Sequence, residues 1–158
     1  MAGLFRRSAT ILLLLGLVAC GQRSLRPETV PVGRVACSVC GMLVSREDQS
    51  AEWIAAGEEP RFYDDIGCLA TDPWNPPGRS ARFVHVGRFW SPAESVFYAH
   101  PPTLSTPMGY DVAAFATREA AAASDRAGRA RTWQELSREL RLPRPAGGPV
   151  PGPPAVSH

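Results

Sequence analysis

Neither end of this chain is composed to pack, so any fold must be built from one stretch of modest length. Residues 143–158 carry Pro143, Pro145, Pro149, Pro151, Pro153 and Pro154 among glycines. Proline removes a backbone donor and fixes φ, so this run cannot form a packed element and reads as a disordered tail. At the other end, Arg6 and Arg7 precede an apolar run from Ala9 to Val18 that is too short to span a bilayer. Residues 1–19 therefore read as a signal peptide. Residues 20–33, with Pro27, Pro31 and Gly33 and few apolar side chains, read as a tether. What remains is 34–142, enough for a single core and not two.

The leader ends in Leu17-Val18-Ala19-Cys20, which looks like a bacterial lipobox. In that pattern the small residue before the cysteine marks the cleavage point, and the Cys20 thiol carries a diacylglycerol. An ordinary secretory signal cut near Ala19 is the competing reading. Either places the rest of the chain outside the cytoplasm. Acyl chains contribute ~0.8 kcal/mol per buried CH₂ and would hold the protein stably on a membrane. The expectation is a lipoprotein anchored through Cys20 and facing the periplasm.

Composition excludes several classes. The formal net charge is +2, and all seventeen basic residues are arginines scattered along the chain. There is no basic stripe for nucleic acid. No glycine-rich phosphate loop or serine-hydrolase elbow occurs, and no acid–base pair suggests catalysis. The chain does not read as an enzyme.

A weak internal repeat suggests how the domain is organised. Tyr63 to Thr71 aligns with Gly109 to Thr117, matching Asp65 with Asp111, Ile66 with Val112, Leu69 with Phe115 and Ala70-Thr71 with Ala116-Thr117. Each segment follows a short apolar run, Ala51 to Ala56 and Ser95 to His100. Aspartate at a helix start accepts from the free amides of the first turn. The expected class is α+β, built from two tandem ββα-like repeats. In detail, Val39 to Ser45 and Ala51 to Ala56 form a hairpin, and Asp65 to Thr71 a short helix stopped before Pro73. Ala81 to Val86 alternates as a strand paired with Ser95 to Ala99. Asp111 to Arg126 is an alanine-rich helix ending near Gly128. Thr132-Trp133-Gln134-Glu135 is a capping-box signature opening a last helix, with Trp133, Leu136 and Leu140 along one face.

The chemistry lies in sulfur. Cys37-Ser38-Val39-Cys40-Gly41-Met42 places three sulfur side chains within six residues, in a chain with four cysteines and three methionines. Cys-x-x-Cys alone fits zinc, redox chemistry or a disulfide. The added methionine tilts the reading to copper, because thiolate and thioether donors together select Cu(I) over hard ions. On a strand, Cys40 and Met42 leave the same face with Cα atoms ~6.5–7 Å apart, so their sulfurs can converge on one ion. Met108, between Pro107 and Gly109, lies on a loop, where it either plugs the core or supplies a second thioether with no proton to lose. With Cys20 lipidated, Cys37, Cys40 and Cys68 make an odd number of thiols in an oxidising compartment. A Cys37–Cys68 or Cys40–Cys68 disulfide competes with metal binding. Cys68, on the short helix after two acids, reads as a small buried hydrophobe. His100, in a loop before Pro101-Pro102, is a better ligand candidate than His85, which sits within an alternating strand. A thiol–disulfide protein using Cys37 and Cys40 lacks thioredoxin-like context and leaves Met42 without a role. A zinc-stabilised module would recruit Cys37, Cys40, Cys68 and a histidine.

Taken in order, the lipobox, Cys37-x-x-Cys40-Gly41-Met42, Phe62-Tyr63-Asp64-Asp65-Ile66-Gly67-Cys68-Leu69, and Thr106-Pro107-Met108-Gly109 before Ala114-Phe115 resemble NosL. That family comprises the lipoproteins encoded with nitrous-oxide reductase. The resemblance covers roughly 34–142. It implies a Cu(I) metallochaperone that helps mature the copper centres of the reductase. It also implies the tandem ββαβ arrangement shared with the organomercurial-lyase (MerB) fold. Carried over, the copper donors fall on Cys37, Cys40, Met42 and Met108. The implied partners are nitrous-oxide reductase, its copper-loading machinery and, through the lipid, a membrane.

Overall fold

The computed structural model describes residues 25–74 and 78–142. The segment read as a lipobox, with Cys20, and the proline-rich tail lie outside these residues. The class is α+β, with antiparallel sheets and short helices.

Strand β1 (Ala51–Ala55) is buried at every position, as a central strand covered on both faces must be. Its neighbours are β2 (Arg61–Tyr63) and β3 (Ser80–Val86), and β3 in turn pairs with β4 (Phe89–Pro92), giving the order β2-β1-β3-β4. All pairings are antiparallel. Ala51 and Trp53 face the main core, with Tyr63, Cys37, Cys68, Leu69, Val84, Tyr98 and Leu136. A smaller cluster of Val30, Val44 and Phe62, with Val35 and Trp90 packed against it, forms a second apolar core. Thus the C-terminal end of the tether segment is packed, and Val30 is buried.

Between β2 and β3 lies α1 (Ile66–Thr71), capped by Asp65, whose carboxylate accepts from the Gly67 amide at 2.8 Å. Beyond β4, β5 (Phe97–Ala99) pairs with β6 (Ala113–Phe115) as a separate two-stranded sheet. Helix α2 (Arg118–Ser124) follows, and α3 (Trp133–Arg141) closes the domain with the expected capping box between Thr132 and Glu135. Trp133 stacks near Tyr98, with ring centroids 5.7 Å apart. Arg141 reaches across to α1, donating to the carbonyls of Ala70 and Asp72 at 2.8 Å each. Those are carbonyls at the end of a helix, where a cation is favoured.

Four local expectations are corrected. Val39 to Ser45 is not a strand: Ala36 and Leu43 make a single bridge, and Gly41 at φ +74° turns the chain back between them. β1 therefore takes β2 as its hairpin partner. The partners of β3 are β1 and β4, not Ser95 to Ala99, because Gly87 at φ +62° permits a two-residue hairpin from Val86 to Phe89. The span from Asp111 to Arg126 is not one helix, since Ala113–Phe115 is drawn into pairing with β5. Asp111 does not cap a helix; Thr117 does, accepting from the Ala120 amide. Two stretches, β1-β2-α1 and β5-β6-α2, run strand, strand, helix, but the first belongs to a four-stranded sheet and the second to a two-stranded one, and the helix caps are Asp65 and Thr117.

Candidate metal centre

Three thiols converge at the junction of two elements. The first is the turn over 36–43. The Ser38 amide donates to the Phe62 carbonyl at 2.9 Å, fastening the turn to β2. The Cys37 amide donates to the Met42 carbonyl at 2.7 Å, and the Gly41 amide to the Cys37 carbonyl at 2.9 Å. Only a residue free to adopt the left-handed conformation closes so tight a loop without strain, which accounts for Gly41. The second element is α1, whose first turn carries Cys68 inward. Cys37 and Cys68 are 2% and 1% exposed, while Cys40 is half-buried at the rim. The sulfurs of Cys37, Cys40 and Cys68 all lie within 4.8 Å of one another. All three are free thiols.

Their electrostatics are those of a shared proton set. The Cys37 thiol is lowered to about 5, chiefly because it accepts a hydrogen bond from Cys68; amides of Cys40, Asp64 and Val39 assist, against the cost of burial. Cys68 is pushed well up, first as the donor in that bond and then by burial and by the neighbouring charges. Burial is also the main reason that Cys40 is raised. Cys37 is thus the most acidic of the three, while Cys40 and Cys68 hold their protons more firmly than free thiols. A soft cation entering the cluster would release protons and occupy a site whose donors are already gathered.

The sequence-derived candidates fall as follows. Cys37 and Cys40 are brought together. Met42 follows Gly41 on the turn, beyond its positive φ of +74°, and is 53% exposed. Met108 is half-buried and packs against the core that contains Cys37 and Cys68. His85 is buried against Trp90, with ring centroids 3.9 Å apart, and His100 Nδ1 lies 3.1 Å from the Tyr110 carbonyl. Among the described residues no histidine or carboxylate joins the three sulfurs. Cys68, which the sequence reading admitted only to a disulfide or a zinc module and left out of the copper donors, is the third member of the cluster. The odd thiol count was the signal for it, since a third buried thiol with no disulfide partner needs another use.

No protein-family model, curated protein or solved structure matches this chain.

Proposed function

We propose that this domain is an extracytoplasmic Cu(I) metallochaperone, anchored to a membrane through Cys20 and serving the maturation of nitrous-oxide reductase. The observation that carries the copper reading is the convergence of three sulfurs within 4.8 Å, two of them buried and one at the rim. Structural zinc sites are closed by four protein donors, commonly with a histidine among them. Here the donor set is sulfur alone, which suits a soft ion of low coordination number. Met42 at the exposed edge of the turn and Met108 beside the core are the thioethers that complete or relay the ion. The reductase as recipient, and the tandem ββαβ arrangement shared with the MerB fold, rest on the resemblance to NosL.

The mechanism follows from the exposure gradient. Cys40, at the rim, is the donor that a partner's ligand can displace first. Cys37 and Cys68 hold the ion until the partner has replaced Cys40. Cu(I) then passes through a shared intermediate and is never free. Copper is cargo here, so tight binding and release must coexist, and a site with one accessible donor permits both.

Anaerobic Cu(I) titration of the reduced protein tests this. The expected result is one Cu(I) per chain with thiolate-to-copper absorption in the ultraviolet. Serine substitution at Cys37, Cys40 or Cys68 removes an anionic donor and should weaken binding more than Met42→Leu, which removes a neutral one. Preference for Zn(II), or unchanged Cu(I) affinity in all three serine variants, would sink the proposal.

A further inference from the structure

The loop that carries Met108 is tied to the helix that carries Cys68. Thr106 Oγ1 donates to Asp65 Oδ2, and the same Asp65 caps α1 through Oδ1 and the Gly67 amide. Asp65 is fully buried. Burial raises its carboxyl above the ordinary range, while Thr106 and the amides of Gly67, Met108 and Tyr110 favour the charged form. Its acceptor capacity is thus divided between α1 and residues 106–110. The loop is also closed on itself. The Thr106 amide donates to Asp111 Oδ1 at 3.1 Å, and the Asp111 amide returns a bond to Thr106 Oγ1 at 2.9 Å. The Gly109 amide donates to the Thr106 carbonyl at 3.0 Å. Asp111 sits at φ +54°, a conformation that side chains rarely adopt and that surrounding contacts must hold.

A second contact presses the same loop against α1. A Cβ at Gly67 would stand 2.0 Å from Tyr110 Cγ, so the Tyr110 ring occupies the space that any side chain at 67 would need. Gly67 immediately precedes Cys68. One residue's absent side chain and one buried carboxylate therefore fix the distance between the Met108 loop and α1.

The geometry points to Asp65 and Thr106 as positioning residues: their hydrogen bond latches the Met108 loop onto α1, the helix that carries Cys68. This rests on the copper reading above and adds to it a device for presenting the fourth sulfur. Neither residue touches the ion; both act through Met108. Residues that orient metal donors typically change affinity by 10–100-fold when removed.

The test is a double-mutant cycle in the full-length protein, read by anaerobic competition for Cu(I) against a chromophoric chelator. Thr106→Val keeps the shape of the side chain and leaves the Asp65 cap on Gly67 in place; it removes both the bond to Asp65 and the acceptor for the Asp111 amide, so Asp65→Asn, which keeps the oxygen for the cap, is read beside it. It should weaken Cu(I) binding about 10-fold in the parent. In a Met108→Leu background it should cause no further loss. Thr106→Ser, which retains the hydroxyl, should bind as the parent does. If Thr106→Val fails to fold, Gly67→Ala lifts the loop by sterics alone and should show the same dependence on Met108. Unchanged affinity in Thr106→Val or Gly67→Ala overturns the latch, as does an equal loss with and without Met108. In either case Cu(I) binding by the parent keeps the metallochaperone reading. A parent that binds no Cu(I) overturns both.

Discussion

Glu52 offers a quantitative test of how the sheet is packed. It lies in the middle of β1, fully buried, paired across the ladder with Phe62 on one side and Phe83 on the other. One carboxylate oxygen accepts from the Glu28 amide at 2.9 Å, and the other has no partner. Burial in these surroundings raises its pKa from 4.5 to about 7. The folded state thus holds a proton that the unfolded chain releases. The resulting stability is fully present below pH 4.5 and is lost as pH rises through 7. At 1.36 kcal/mol per unit, the shift is worth about 3 kcal/mol between those limits. Urea unfolding of the reduced protein at pH 4.5, 6, 7 and 8 should show this decline. Cys37 titrates in the opposite sense over part of the same range, because its folded value lies below its ordinary one. The difference between parent and Glu52→Gln cancels that contribution. Glutamine keeps an acceptor for the Glu28 amide but cannot titrate, so the variant should lose about 3 kcal/mol less than the parent over this interval. If parent and Glu52→Gln show the same slope with pH, Glu52 is not a buried titrating group, and its burial in the middle of β1 is refuted.

Two further outcomes follow from the chain. Cys20→Ser should release the protein to the soluble fraction or leave it unprocessed; a processed, membrane-held variant would contradict the lipobox reading. Leu136→Ala, at a fully buried position of α3, should cost about 2–5 kcal/mol in urea unfolding, and a loss below ~1 kcal/mol would mean that α3 does not seal the core.

The parts of the fold legible in the sequence were those written in local chemistry. Asp65 capping a short helix, the Thr132–Glu135 box and the strand over Ala81 to Val86 each state their structure within a few residues, and each is present, although burial along that strand does not alternate: Phe83, Val84 and His85 are all buried. Ala113–Phe115 was opaque for the opposite reason. Its alanines favour helix, and only pairing with Phe97–Ala99, remote in sequence, makes it a strand. The hairpin expected from Val39 to Ser45 failed on Gly41, whose positive φ serves the tight turn beside Cys37. The site was half legible. Spacing announced Cys37 and Cys40, but Cys68 joins them from another element 28 positions beyond Cys40, and no local pattern reports that.

Helix α1 has only six residues, too few to persist alone in water. Its front is tied to Thr106, 41 residues downstream, and its rear to Arg141, which lies 71 residues beyond Ala70. A chain emerging from its N-terminus presents Cys37 and Cys40 early and Cys68 soon after, yet the clamps at both ends of α1 arrive last. The cluster is therefore assembled late, once nearly the whole domain is available, and non-local closure of this kind is slow. Until then three thiols travel on unstructured chain, open to oxidation and to any passing metal. Convergence of the three sulfurs is in this sense a proof of complete folding: the domain gathers its thiol cluster only after its final helix has docked.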